Sequence, residues 1–332
     1  MAIVNLSTWD DYVSLLPEAH LLQTSMWGET KKKYGWRPER ILTGDTGAQI
    51  LFRKLPLGFT MAYIPKGPLG PNWIDIWPEV HEVCRKNRAV FLRVEPDMED
   101  TASINLLSKL PGFTPVEDTI QPRQTIYVDI SGSPDDWLSR MKQKARYNTR
   151  LAEKKDVSVI ECEDFDAFDR LMKTTGRRDG FGVHSIDYYQ TAYRLFKQKG
   201  KVALLQAIFD NRPLAMLMVF AHGSRAYYLY GASGDEERQR MPAYLLQFEA
   251  MKWSARQGCS QYDLWGIPDA PEEELEACFE TRSDGLWGVY RFKRGLGGRI
   301  YRSCPGYDYI YQPLLYKLIR RKMLQSRGLT GG

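Results

Sequence analysis

The 332-residue chain contains no run approaching the roughly 18 uncharged apolar residues that a membrane-spanning helix needs. Its opening, MAIVNLSTWDDYVSLL, lacks the basic stretch followed by an apolar core that marks a secretory signal, so a cytoplasmic location is expected. The five cysteines (Cys84, Cys162, Cys259, Cys278, Cys304) are odd in number, widely spaced and without a C-x-x-C pair. The four histidines (His20, His81, His184, His222) include no H-x-x-x-H pair. A disulfide framework and a structural zinc site are both disfavoured, no metal or cofactor is expected, and histidine acid–base chemistry has few candidates. Gly295-x-Gly297-Gly298 is glycine-rich but leads into an expected strand instead of opening a helix, which removes a dinucleotide or P-loop reading.

What is present is a globular composition: 43% apolar and 26% charged residues, over a length that suits two domains or one large one. The 46 basic and 41 acidic side chains leave a net charge of +5, with a pI near 8.8. That balance suits a polyanionic partner or peripheral contact with an acidic membrane surface.

Hydrophobic periodicity and turn residues give the same order of elements twice. In the first half, helices are expected at Thr8–Leu16 and from Gln23 to about Gly35. Strands follow at Arg40–Thr43, Ala48–Arg53 and Phe59–Ile64, then a helix at Pro78–Arg88 and strands at Val90–Glu95 and Thr125–Ile130. In the second half a helix at Ser185–Gln198 precedes strands at Val202–Phe209, Leu214–Ala221 and Ala226–Tyr230. A helix at Pro242–Gln257 and a strand at Tyr262–Trp265 complete the pattern, with further strands expected at Val289–Lys293 and Arg299–Arg302. Ser133-Pro134-Asp135-Asp136 reads as an N-cap opening a helix that runs to about Lys155. The expected division is therefore residues 1–132 with 306–332 as one α/β module and residues 133–305 as a second, the amphipathic Pro313–Leu324 packing back on the first.

Four local patterns stand out: Gln23-x-Ser25-x-Trp27-Gly28-x-x-Lys31 followed by Gly35-Trp36; Tyr63-Ile64-Pro65-Lys66-Gly67-Pro68; Arg177-Arg178-Asp179-Gly180-Phe181 with Tyr188-Tyr189 close behind; and Tyr290-Arg291-Phe292-Lys293-Arg294-Gly295-Leu296-Gly297-Gly298. With these in this order, the chain resembles the FemABX (Fem-type) peptidoglycan-bridge aminoacyltransferases over essentially its whole length. The resemblance implies two tandem GNAT-like domains of α/β (α+β) class, each a mixed, largely antiparallel sheet flanked by helices. It also implies transfer of an amino acid from aminoacyl-tRNA, a co-substrate, to the stem peptide of a lipid-linked or UDP-linked muropeptide precursor. The chain is similar to the short members, because the Asp135–Lys155 segment runs directly into Val157–Ile160 and leaves no room for a long helical arm.

The resemblance assigns Lys31 to the precursor, although the same residue also reads as a solvated member of the Lys31-Lys32-Lys33 run. Arg177 or Arg178, with Tyr188 or Tyr189, resembles the arginine and tyrosine that hold the precursor's phosphates, and the sequence does not choose between neighbours. Tyr228 and Tyr230 alternate along an expected strand and so are expected to share one face, either lining a cleft or packing the core. Lys293 matches a lysine at the reaction centre. Attack of a neutral amine on an aminoacyl ester passes through a tetrahedral oxyanion, and a cation at that oxygen typically lowers the barrier by roughly 3–4 kcal/mol. Arg291, two residues away on the same expected strand, is assigned a paired role. Glu95 stands where the family often has aspartate, and could hold the acceptor ammonium and take its proton.

Lys142, Lys144, Arg146 and Arg150 lie among seven cations of the Asp135–Lys155 helix, whose expected buried stripe is Trp137, Met141 and Ala145. They could track the phosphates of a tRNA acceptor stem or form an ordinary solvated face. A GNAT-type N-acyltransferase using acyl-CoA is the rival reading. Against it, the glycines of a pyrophosphate loop should fall just before Pro242, where the chain has Arg238-Gln239-Arg240-Met241.

Overall fold

The computed structural model describes residues 3–100, 111–180 and 182–327, with side chains in the last helix described as far as Arg321. Phe181, in the third sequence pattern, lies outside the described residues. The chain forms two compact units, Met1–Arg123 with Arg302–Leu329, and Gln124–Tyr301.

In the first unit, α1 (Leu6–Ser14) and α2 (Ser25–Lys32) precede three antiparallel strands, β1 (Trp36–Thr43), β2 (Thr46–Lys54) and β3 (Thr60–Pro65). Helix α3 (Trp73–Lys86) then crosses over to β4 (Ala89–Glu95), which pairs parallel with β3. After β5 (Phe113–Val116) the chain leaves this unit and passes into β6 (Gln124–Asp129). The sheet order is β1-β2-β3-β4-β13-β5, and β13 (Gly306–Ile310) arrives from the far end of the sequence.

The second unit begins with β6, then α4 (Pro134–Arg140), α5 (Gln143–Lys154), β7 (Ser158–Cys162), α6 (Phe165–Asp179) and α7 (Ile186–Lys197). Strands β8 (Val202–Phe209), β9 (Arg212–His222) and β10 (Arg225–Ser233) are antiparallel neighbours. Helix α8 (Pro242–Arg256) crosses to β11 (Gln261–Asp263), which pairs parallel with β10. Then come α9 (Glu272–Cys278), α10 (Trp287–Lys293) and β12 (Arg299–Arg302), after which the chain returns to the first unit with β13 and α11 (Pro313–Arg327). The second sheet runs β12-β6-β11-β10-β9-β8-β7.

The mixed, largely antiparallel sheets expected from the sequence are therefore present, and the repeated order is visible as β1-β2-β3-α3-β4 and β8-β9-β10-α8-β11. The units differ in how they are completed. The strand flanking β4 comes from residues 306–310, whereas the strand flanking β11 comes from residues 124–129. This moves the division from the expected residue 133 to residue 124, and the return from residue 306 to residue 302. Tyr262 and Asp263 pair with Val128 and Tyr127, so the Thr125–Ile130 strand completes the second sheet and not the first.

Two further expectations are corrected. The single helix from Asp135 to Lys155 is two helices, broken where Met141 is extended (φ −65°, ψ 147°). Ser133 and Asp136 form the expected capping box at the start of α4, and Trp137, Met141 and Ala145 are buried as expected. At the break the Arg146 guanidinium turns back to the carbonyls of Leu138, Ser139 and Met141 at the end of α4. Residues Val289–Lys293 belong to helix α10 and not to a strand. Trp287, Tyr290 and Lys293, three residues apart, form its buried side.

The core of the second unit includes α4, α5 and α8 packed on one face of the sheet, with Trp137, Phe248, Trp253, Tyr262 and Tyr290 all buried. In the first unit α3 covers one face, through Ile76, Trp77, Val80 and Val83. Helix α11 packs on a separate layer with Leu51, Met61, Tyr63 and Phe91, its Tyr316 ring 5.2 Å from that of Phe91.

Candidate active site

The Gln23–Lys31 pattern is a buried polar lattice with one cation at its edge. The Gln23 amide donates to Pro65 O at 2.7 Å and accepts from Gln49 N at 2.8 Å, tying the start of α2 to β2 and to the Tyr63–Pro68 pattern. A Cβ on Gly28 would stand 2.2 Å from Gln49 Oε1 and would push the Gln49 amide off its bonds to Arg40, Leu22 O and Thr24 O, so glycine preserves this lattice. Lys31 lies on the following turn with Nζ 4.6 Å from the centre of the Trp27 ring, a cation–π contact that presents it beside a buried indole. Lys32 and Lys33 are exposed.

Glu95 ends β4 and is buried. Its carboxylate accepts from Tyr63 Oη at 2.6 Å, from Gln121 N at 3.0 Å and from Ile120 N. Burial raises its pKa while these donors and Arg93 pull the other way. The geometry makes Glu95 the anchor of the Ile120–Gln121 turn, and its oxygens are already engaged within the first unit.

The second unit holds the densest group of candidates. Lys293, at the end of α10, is buried and donates from Nζ to Gly266 O at 2.8 Å and Trp265 O at 3.2 Å. The Tyr228 ring centre lies 5.6 Å from the same nitrogen. Burial lowers the lysine's pKa from its ordinary value to about 7, opposed by the negative charge of Asp263. The carbonyls that meet it follow a short turn in which Trp265 adopts a positive φ of 60°, and the buried Asp263 accepts Trp265 N at 2.7 Å and the Thr125 hydroxyl. Arg291 is exposed: on a helix, residues two apart point about 200° away from one another, so the shared face expected for Arg291 and Lys293 does not exist.

Tyr228 and Tyr230 do not share a face either. The β9–β10 register shifts between them, Tyr228 opposite Val219 and Tyr230 opposite Met218, so Leu229 is the extra residue of a bulge. Tyr228 packs against the core beneath α8, on the Lys293 side. Tyr230 faces α7, where its hydroxyl meets Tyr188 Oη at 3.2 Å and its ring lies 5.1 Å from that of Tyr189. Tyr188 is buried beneath the His184 imidazole, stacked at 4.0 Å, and the Tyr189 hydroxyl accepts His184 N at 3.1 Å.

Arg177 and Arg178 occupy the last turn of α6, a helix absent from the sequence reading. Its signals were nonetheless there: Asp164 caps the N-terminus, Phe168, Met172 and Thr175 keep helical spacing, and Gly180 ends it in the left-handed region. Arg178 is taken up by Asp179, by Asp235 at 3.0 Å and by Ser233 O at 3.1 Å, which ties α6 to the end of β10. Arg177 instead lines an open depression of about 320 Å³ with Lys173, Gly176 and Val183. The structure thus separates two arginines that the sequence could not.

Of the cations expected to meet tRNA, Lys144 and Arg150 are exposed on α5. Lys142 lies 3.4 Å from Glu276, and Arg146 is committed to capping α4. The glycines after Lys293 have a packing role: Gly298 has φ +100°, and a Cβ there would lie 2.4 Å from Tyr127 O of β6. Among the described residues no group of three or more His, Cys, Asp or Glu is placed to hold a metal ion, and no helix is long and apolar enough to cross a membrane.

This fold and this clustering define a protein of two GNAT-like units, and residues 139–294 match the acetyltransferase (GNAT) domain family. Residues 5–103 match the FemAB family, and the resemblance to Fem-type proteins read from the four patterns is borne out. The chain is 26% identical to the lipid II:glycine glycyltransferase of Staphylococcus haemolyticus, with 94% of this chain and 93% of that one aligned. The protein of the same name from Staphylococcus aureus is also 26% identical, over the same shares. A crystal structure of FemX superposes with a TM-score of 0.85 at 24% identity, over 95% of this chain and 98% of that one, which shows the shared fold. As expected for a short member, no helical arm intervenes between Lys154, the end of α5, and Ser158, the start of β7.

Proposed function

We propose that this chain is an aminoacyltransferase of peptidoglycan-bridge assembly, which takes an amino acid from aminoacyl-tRNA and joins it to the stem peptide of a muropeptide precursor. The observation that carries the reading is Lys293: a buried amine with a pKa near 7, held by two carbonyls beside Tyr228 on a GNAT-like sheet. A neutral acceptor amine attacks the ester carbonyl, forming the C–N bond and a tetrahedral oxyanion. The cationic form of Lys293 steadies that oxygen as the C–O bond to the ribose breaks, and the proton lost by the amine ends on the leaving ribose oxygen. The ester arrives activated, so the protein's contribution is positioning and charge stabilisation. Arg177 and Lys31 supply cations for the precursor's phosphates and carboxylates, while Lys144 and Arg150 face the tRNA backbone.

The relatives are named for glycyl transfer to lipid II, which makes glycyl-tRNA and lipid II the first substrates to test. Purified protein incubated with tRNA charged with a labelled amino-acid mixture, and with lipid-linked or UDP-linked precursor in parallel, is read by mass spectrometry. A mass increase of one amino acid on the precursor, abolished by ribonuclease, is expected. No adduct with either precursor would overturn this reading, and transfer from added acyl-CoA in a ribonuclease-treated reaction would replace it with the acyl-CoA one.

A further inference from the structure

Two places on the first unit, outside the residues assigned to catalysis, combine exposed leucine with exposed cations. On α11, Leu314, Lys317, Leu318 and Arg321 follow i, i+3, i+4, i+7 spacing and therefore form one stripe. Leu314 is 80% and Leu318 63% exposed, and Lys317 and Arg321 are exposed beside them. The opposite side of the helix is the one that packs: Tyr316 is buried, Leu315 and Ile319 join its layer, and Arg320 is held by the Tyr316 hydroxyl at 3.0 Å and Asp118 at 3.3 Å. The outward leucines are thus not spillover from the core. Over its 15 residues the α11 sequence carries Lys317, Arg320, Arg321, Lys322 and Arg327 and no acidic residue.

The second place is the turn between β2 and β3. Leu57 is 82% exposed and stands at the tip with φ 61°, a left-handed conformation that costs a branched residue energy. Exposed Arg53, Lys54 and Arg88 surround the turn, Arg88 lying 4.7 Å from the Phe59 ring. Leu55 and Phe59, which flank the tip, belong to the same packed layer as Leu315 and Ile319 of α11.

We propose that α11 and the Leu57 turn form a docking surface for an anionic lipid bilayer. A lone exposed leucine means little. Apolar side chains projecting from a cationic helix face, with no carboxylate in the helix, match interfacial membrane binding, where acyl-chain burial and attraction to anionic headgroups add. RNA would be served by the cations alone and gives no use to Leu57, Leu314 or Leu318. The surface is independent of the transfer chemistry and would bring the protein to a membrane whichever precursor it uses.

Flotation of the full chain with vesicles of phosphatidylcholine, with and without phosphatidylglycerol, tests it. Partition is expected only with the anionic lipid. Leu57→Ser, Leu314→Ser and Leu318→Ser combined should reduce it by about tenfold or more, and Lys317→Gln with Arg321→Gln by about fivefold per charge. Melting temperature checks that these exposed changes leave the fold intact, and tRNA retention on filters is measured in parallel. Failure of the wild-type chain to float, or variants that float as it does, would overturn the proposal. So would loss of tRNA retention in the Lys317/Arg321 variant, which would make the surface an RNA contact.

Discussion

Tyr228 and Tyr230 stand two residues apart in β10 and face opposite sides of the sheet, because Leu229 bulges between them. One hydroxyl belongs to the Lys293 side, the other to the Tyr188 side. Their contributions should therefore separate. Tyr228→Phe is expected to act on kcat and Tyr230→Phe on KM for the precursor, with the double variant close to the product of the two. A coupling above about 0.5 kcal/mol in the double-mutant cycle would instead place both in one network.

Lys293→Met should lower kcat by about 10²–10³-fold, the range typical of removing one oxyanion-stabilising group, with precursor binding nearly unchanged. Single-turnover rates and equilibrium binding separate the two. Normal turnover in this variant would remove the lysine from the mechanism.

The lysine's pKa near 7 places a pH effect in the neutral range, and its sign reports the working form of the lysine. If the cation is the working form, kcat/KM declines as pH rises through about 7. Asp263 favours the charged lysine, so Asp263→Asn, which still offers an acceptor to Trp265 N, should move this decline to lower pH. Activity that rises through 7 would assign Lys293 the role of base. Stability has its own sign. A lysine whose pKa is lowered by folding binds fewer protons in the native state, so the protein gains stability as pH rises from about 7 toward 10. Denaturant midpoints of Lys293→Met should lack that increment.

Glu95→Gln distinguishes anchor from base. As an anchor, Glu95 holds Ile120 N, Gln121 N and the Tyr63 hydroxyl, and an amide in its place turns an NH₂ toward one of these donors. A cost of about 1–3 kcal/mol in unfolding free energy with kcat little changed is expected. A large fall in kcat at unchanged stability would restore the base role.

On α5, Lys144→Gln and Arg150→Gln should each lower the salt dependence of tRNA binding by about one counterion. Arg146→Gln should instead lower the melting temperature, because its guanidinium closes the end of α4.

Much of this architecture was legible in the sequence because caps, turns and periodicity agreed. Ser133 and Asp136 form the cap that their spacing suggests, and β8 spans the residues assigned to it. The failures have physical causes. Val-Tyr-Arg-Phe-Lys alternates well enough to imitate a strand, and a helix of only seven residues, Trp287–Lys293, gives periodicity little length in which to decide. No glycine or proline marks the break at Met141, which arises from tertiary bonds, Lys142 N to Gly295 O at 3.0 Å among them. A bulge leaves no trace in alternating tyrosines, so the separation of Tyr228 from Tyr230 is set by the backbone and not by the residue pattern. The division of labour between Arg177 and Arg178 depends on Ser233 and Asp235, more than fifty residues away.

The exchange of β6 and β13 has a consequence for biosynthesis. Arg93 of β4 is fully buried and meets Asp308 of β13 through two 2.8 Å hydrogen bonds, and Asp308 in turn accepts the Tyr316 hydroxyl. Until residues 306–316 emerge from the ribosome, that guanidinium lacks its two-bond partner and keeps Asp118, 3.6 Å away, as an ion-pair partner, and β4 lies at an open edge. The half translated first is thus completed last, while the later half already holds every strand of its own sheet once Arg302 has been made. A nascent chain stalled before Gly306 would carry one finished unit and one with an exposed strand, the point at which a chaperone or a protease would find it.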